Sequence, residues 1–435
     1  MADRSLLTVV DGQVGLQQAG DVATLNGPLD VKGFTIVSTT GDIVLTSTSN
    51  DSLVVGHNQT TNGGARSFIG GGQGCTSCAT DGFIGAGKDC VISGNYAAVL
   101  SGNNNDALAD YAVVGGGQDN TANGTYAVVV GGKGCTASGN MAIAGGESAT
   151  ANGDHSLVLG GLNNTASGAY SAVLSGNANT ASGDYSVACG SSSTASGYAS
   201  VALGTTANAS GNYSAAIGLQ NSVSGLASCA VGGRSNNVTG EYSGILAGRS
   251  NTISSNYAAV LAGFTNSVTA DYAVAAGREA VAEHLACFAL SAGKIATAGD
   301  AQLIRAVTYV QTNSNTASDL YLDGNSKSIS LVQPQDTVWV AKCWVAGMNA
   351  NGVHAASYYF VQTTFRDGNA APTLTTNGSV ANPYNLVMTE GDAAWNAAIN
   401  IRAGNIISAS AVGTSNASVN YNWVATWEIV QLGIF

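Results

Sequence analysis

"ASGDYSVACGSSSTASGYASVALGTTANASGNYSAAIG", residues 181–218, says one phrase three times, each copy 14 residues after the last. Read outward, the phrase begins at Asp51, Arg66, Asp81, Tyr96, Tyr111, Tyr126, Met141, His155, Tyr170, Tyr185, Ala199, Tyr213, Ala227, Tyr242, Tyr257, Tyr272 and Ala286, always 14 or 15 residues apart. Three residues after each start stands a small aliphatic residue, such as Val99, Val158, Ala202 or Ile245. Five after it the occupant is Gly, Ala or Ser, and two before most starts is a glycine, as at Gly124, Gly183 and Gly240. Nine after it comes a column of Asn105, Asn120, Asn164, Asn179, Asn236, Asn251 and Asn266.

Columns this strict require equivalent residues of successive turns to lie above one another. A helical repeat needs a unit of 30 residues or more. A unit of 14 or 15 fits two short extended segments and their bends, stacked as a parallel β-solenoid. At a strand spacing of about 4.8 Å, the seventeen turns between 51 and 299 make a rod about 80 Å long. Glycine at the bends is expected to supply positive φ, and the asparagines to hydrogen-bond along the rod as amide ladders. Cys75 and Cys90 share the asparagine column. Parallel stacked side chains suit a disulfide poorly, so they are expected as small filler.

The chain has 435 residues, enough for two or more domains. Its 58 glycines are about twice the usual share, yet 45% is hydrophobic and only 9% charged, which argues against disorder. A net charge of −12 works against nucleic acid or an anionic membrane as the main partner. No apolar run is long enough to span a bilayer, so membrane insertion is not expected. "MADRSLLTVVDGQVGLQQAG", residues 1–20, has no sustained apolar core or cleavage pattern, so no secretory signal is expected there. The few small aliphatics inside each turn barely offset the entropy of ordering it, so a homo-oligomer that shields a second face is expected. The tyrosines among the starts fit an inter-chain contact or an exposed aromatic stripe, packing being preferred.

The units "SVACGSSSTASG", "SVALGTTANASG" and "SAAIGLQNSVSG" resemble the head repeats of trimeric autotransporter adhesins over residues 51–299. That resemblance implies a left-handed parallel β-roll, three chains about one axis, and surface attachment. The family's signal peptide, heptad stalk and membrane anchor have no counterpart pattern here, so a viral fibre that borrowed the roll is the expectation.

After "TAGDAQ", residues 297–302, the period stops, and all five tryptophans lie beyond it. "TVWVAKCWV", "YYFVQTTFRDG" and "NWVATWEIV" read as strands, so residues 300–435 are expected as an antiparallel β-sandwich knob. Their layout is similar to C-terminal domains of bacteriophage tail fibres. Such knobs carry receptor contact or drive trimerisation. Loops 347–356, 366–385 and 413–420 are therefore candidates for receptor contact, with Asn349, Asn351, His354, Arg366, Asp367, Asn369, Asn382, Tyr384 and Asn416 as candidate residues. Residues 1–50 include "LDVKGFTIVSTTGDIVLTS", which reads as two short strands and resembles the lead-in of viral fibres; this segment is the candidate dock onto other virion proteins.

Chemistry is sparse. "GGGQGC", residues 70–75, lacks the helix and the Lys-Ser/Thr of a phosphate loop. Cys75 and Cys78 form one CxxC, half of a zinc set. His57, His155, His284 and His354 lie far apart, and Glu147, Glu241 and Glu279 are scattered rather than paired. No enzyme activity and no cofactor are expected. The expected function is a virion tail fibre or tailspike, a homotrimeric rod whose distal knob binds a glycan or outer-membrane receptor on the host. The alternatives are a capsid fibre or decoration protein without a receptor, a bacterial surface adhesin, and a polysaccharide depolymerase.

Overall fold

A computed structural model describes residues 8–10, 13–15, 52–54, 58–62, 65–294, 298–312, 318–320, 331–333, 337–349, 355–366, 373–374, 384–386, 396–402, 406–412 and 421–433. Every regular element among them is a strand. Near the N-terminus, Thr8–Val10 and Gln13–Gly15 form a small antiparallel hairpin; the two strands read within residues 29–47 lie outside the described residues.

Between Leu53 and Ala292 the chain is a parallel β-solenoid, as its period predicts. Each turn up to the one that starts at Tyr272 contributes one strand to each of two sheets, and the turn that starts at Ala286 contributes to the first only. Val113–Val114 pairs with Ala98–Val99 below and with Val128 and Val129 above. Thr121–Ala122 pairs with Asp106–Ala107 and Thr136–Ala137 in the second sheet, which is 16 strands long. Because side chains alternate along a strand, one residue of each pair points in and the other out. In the turn that starts at Tyr96, Ala97, Val99, Asn105 and Ala107 are buried. The interior is thus a thin stack of small residues, bounded by two outward faces.

Positive φ is distributed differently from the expectation. The start column itself is left-handed, with Tyr96 at φ 59°, Tyr126 at 58° and Tyr185 at 58°, though none is glycine. Such a residue gives up about 1 kcal/mol. Its amide remains satisfied along the rod: Tyr96 N donates to Thr80 O at 2.9 Å and Tyr111 N to Asn95 O at 2.8 Å. The glycines two before the starts are needed for another reason, close approach. A Cβ on Gly183 would run into the carbonyl of Gly197 in the next turn. Glycines such as Gly204, at φ 140°, meet both demands, because a Cβ there would also strike the carbonyl of Gly218. A 14-residue turn differs from a 15-residue one just before this glycine, where a register shift separates Val129 from Gly131 on pairing with the shorter turn above.

The asparagine ladder forms, and it does more than bond sideways. Asn251 Nδ2 donates to Asn236 Oδ1 at 3.0 Å, and Asn251 N to the same oxygen at 3.1 Å. Asn236 Nδ2 also reaches the carbonyls of Gly232 and Gly248, at 3.0 and 2.9 Å, so one amide satisfies the bends of two turns. Cysteine substitutes in this column: Cys135 Sγ donates to Gly146 O at 3.0 Å. All eight cysteines are free thiols, including Cys75 and Cys90, in keeping with the filler reading.

At residue 300 the first sheet does not end. Its last solenoid strand, Phe288–Ala292, pairs antiparallel with Ala301–Thr312, with Phe288 opposite Arg305. That strand pairs with Tyr421–Gly433, which pairs with Thr337–Asn349, which pairs with Ala355–Arg366. One face of this extension buries Ile304, Trp339, Cys343, Trp423, Trp427 and Ile429. A second antiparallel sheet joins Ser318–Asp319, Leu331–Val332, Asn396–Arg402 and Ile406–Val412. Leu320 and Leu331 belong to the same buried cluster as the tryptophans.

The open edge of the second solenoid sheet is capped by a side chain. Gln302 Oε1 accepts from Val281 N at 2.8 Å while its Nε2 donates to Val281 O at 3.0 Å, a strand pairing made by one amide. Gln431 Nε2 donates to Gly299 O, and Gln431 Oε1 accepts from Trp339 Nε1 at 2.7 Å. The exposed ladder of the last turn is thereby satisfied.

Candidate interaction surfaces

The solenoid presents two unlike faces. Outward from the first sheet stand the residues two and four after each start, apolar in most turns and glycine at Gly70, Gly85, Gly115, Gly145 and Gly244. Val130 is 63% exposed, Leu159 56% and Leu246 57%, with Leu174 between them and Leu261 one turn beyond. They form one stripe along the rod. Outward from the second sheet stand Thr121, Thr136, Thr150, Thr165, Thr180 and Thr194, in register turn by turn. Ser167, Ser182, Ser196 and Ser210 run beside them, exposed. One face is oily and the other is a lattice of hydroxyls.

Along the edge runs the start column. Tyr96, Tyr111 and Tyr126 stack with centroids 5.0 and 4.5 Å apart. His155, Tyr170 and Tyr185 form a second stack, and Tyr242, Tyr257 and Tyr272 a third. His155 therefore replaces a tyrosine, as its column implies. At the N-terminal end the rungs are ionic: Arg66 grips Asp81 with two bonds of 2.7 Å, and this guanidinium holds the Asp81 carboxyl below the usual carboxylate range. On one chain the tyrosines are packed against each other and half open to solvent.

At the junction of solenoid and extension lies an open cleft of about 610 Å³, lined by Tyr272, Phe288, Arg305, Val307, Trp344 and Glu428 among others. Arg305 Nη2 is 3.2 Å and Lys342 Nζ 3.6 Å from the Glu428 carboxylate. Beneath the cap lies Glu279, with Lys294 Nζ at 3.8 Å and Arg278 Nε at 4.0 Å. His284 is buried edge-on against Trp339, and burial lowers its pKa to about 4. Burial pushes the Cys287 thiol up to about 11 and raises Cys343 further, the opposite of an activated nucleophile. Among the described residues no three potential ligands are grouped to hold a metal.

Of the candidate receptor residues, Asn349, Arg366 and Tyr384 fall on strands. Asn349 sits opposite Tyr421 at one end of the extension and Arg366 opposite Thr337 at the other. Tyr384 is paired with Tyr359, toward the Asn349 end. The chain ends leading to loops 347–356 and 413–420 therefore share one end, and Arg366 does not join them. Asn351, His354, Asp367, Asn369, Asn382 and Asn416 lie outside the described residues. Sequence reading missed the junction cleft. Alternation in "QLIRAVTYV" and "NWVATWEIV" puts Arg305 with Val307 and Thr426 with Glu428 on one face, but nothing local says that these strands are neighbours.

The profile of a family described as a grass antifreeze beta roll matches residues 136–232. That stretch is similar to such a roll. It is well short of half the chain, so the match speaks for the solenoid there and not for the whole molecule. No curated protein matches the chain. A solved structure, tailspike protein gp49 from Acinetobacter baumannii bacteriophage Fri1, a capsular polysaccharide depolymerase, aligns over 86% of this chain and 70% of its own at 8% identity, with a TM-score of 0.24. At that score the likeness bears on neither activity nor ligand.

Proposed function

We propose that the chain is a virion fibre of tail-fibre or tailspike type. Three copies pack their apolar stripes about a common axis, residues 300–435 close as a β-sandwich knob that contacts the host surface, and residues 1–50 dock onto other virion proteins. The observation that carries this reading is the stripe. Exposed apolar side chains that recur turn after turn along one face, such as Val130, Leu159, Leu174, Leu246 and Leu261, are the kind of surface that marks an interaction site, while the hydroxyl face opposite is suited to water. Attachment is read as binding without cleavage, since Asp81, Glu279 and Glu428 each stand beside cations rather than as a pair of carboxylates across a groove. The test is adsorption. Saturating purified full-length protein should block attachment of the virus that carries it, leaving host glycans at full length on a gel; unchanged adsorption overturns the receptor role, and shortened glycans overturn the non-enzymatic one.

A second reading rests on the hydroxyl face. The threonine column lies largely within the stretch matched by the antifreeze roll, and a repeat of about 4.8 Å orders hydroxyls regularly. Thermal hysteresis above a buffer control supports an ice-facing role; none dismisses it.

A further inference from the structure

We infer that the junction cleft binds an acidic saccharide, with Trp344 and Tyr272 as its apolar walls and Arg305 as the group that meets a sugar carboxylate, while Lys342 beside the cleft helps neutralise Glu428. This deepens the attachment reading and rests on it for the source of the ligand, a host-surface glycan.

Three observations converge. The first is shape. The 301–312 strand runs beyond the roll, so Val307 and Trp344 overhang Ala286 and Tyr272 and leave a concavity of about 610 Å³. That lies within the range of roughly 300–1,000 Å³ usual for small-ligand sites. The floor is rigid: Cys287 and Trp427 are buried, and Trp427 Nε1 donates to Thr308 Oγ1 at 2.9 Å.

The second is wall chemistry. Trp344 keeps 45% and Tyr272 57% of its surface open. A sugar ring is apolar on its C–H faces and polar at its rim, which suits exposed aromatics that are apolar in body with a polar tip. The other tyrosines of the edge spend their ring faces on each other, whereas Tyr272 has a tyrosine below it and Ala286 in the next start position.

The third is charge. Register aligns Arg305, Glu428 and Lys342 across three adjacent strands. One carboxylate shared by two cations leaves a local excess of one positive charge, in a chain with 26 acidic and 14 basic residues. Arg305 is 63% and Lys342 47% exposed, so their remaining donors face solvent. A guanidinium presents several donors in a planar fork suited to a carboxylate. The cleft takes Tyr272 and Ala286 from the start column and Val274 and Phe288 from the column two residues after it, but neither Ala276 nor Leu290 from the column four residues after it, so the inference requires that sister copies seat on that outer column.

The test uses the full chain. Tetragalacturonate and neutral maltotetraose are titrated by calorimetry, with an array of acidic and neutral oligosaccharides alongside. Binding of tetragalacturonate or of an acidic array member, with at least tenfold preference over neutral sugars, is expected. Trp344→Ala should weaken it tenfold or more, and Trp344→Phe should restore most of it. Arg305→Gln should erase the preference for acidic sugars, with unchanged melting temperature. No acidic saccharide bound, or binding indifferent to Trp344→Ala and Arg305→Gln, overturns the inference. Sedimentation of the same samples separates it from the fibre reading: a trimer without sugar binding sinks the cleft alone, and a sugar-binding monomer sinks the fibre alone.

Discussion

The two faces of one turn share an interior and differ entirely outside. Val173 and Ala181 are both fully buried, yet the neighbour of the first, Leu174, is an exposed apolar residue, and the neighbour of the second, Thr180, is a hydroxyl in a ladder. Inward positions are set by the space between the sheets, which alanine, valine and isoleucine fill. Outward positions are free of that constraint, so their composition reports what lies beyond the chain. Water faces the threonines. The leucines and valines call for something else.

The contrast can be broken most severely by placing charge on each face. Leu159→Glu with Leu174→Glu should weaken self-association by at least ~100-fold, because each carboxylate would be buried unpaired. Thr165→Glu with Thr180→Glu, equally crowded on the opposite face, should leave the oligomer intact, as read by sedimentation. Equal effects on both faces would erase the distinction.

Next come the bends that join the two faces. Gly204→Ala demands a Cβ at φ 140° and against the carbonyl of Gly218, and should cost about 4 kcal/mol in denaturant unfolding. Gly160→Ala, where a Cβ meets nothing within 4 Å, should cost less than about 0.5 kcal/mol.

The cap should add a pH dependence of similar rank. His284 is held neutral, its pKa lowered from 6.5 to about 4 by burial. Below pH 6.5 the unfolded chain takes up a proton that the folded chain refuses, so stability falls as pH drops from 6.5 toward 4, by about 3 kcal/mol in all. Glu283, whose carboxylate oxygen is 4.0 Å away and whose pKa burial raises, acts in the opposite direction and offsets part of the loss. His284→Gln should flatten the fall in melting temperature across that window; an unchanged slope would assign it elsewhere.

The smallest effect belongs to the edge. Tyr257→Gly exchanges ring stacking for relief at φ 55°. The two are similar in size, so stability should change by less than about 1 kcal/mol.

Much of the solenoid was legible because its information is local and repeated. The aliphatic column three after each start is the buried one from Ile69 onward, and the Asn236–Asn251 contact follows from spacing alone. The left-handed tyrosines were not legible, since nothing in the residue type marks Tyr126 for positive φ; the stacking of turns imposes it. At the C-terminal end the strands themselves could be read from β-branched and aromatic runs. Their order could not, because Ala301–Thr312 finds its partner more than a hundred residues away at Tyr421–Gly433. The separation of Asn349 from Arg366, and the meeting of Arg305 with Glu428 and Trp344, exist only at that level.

Sedimentation equilibrium of the intact chain at micromolar concentration tests the reading of the apolar stripe most directly. Three chain masses in a single elongated species are predicted, with the leucine face protected from solvent in hydrogen–deuterium exchange or surface labelling and the threonine face open. A stable species of one chain mass, with both faces equally accessible, would contradict it.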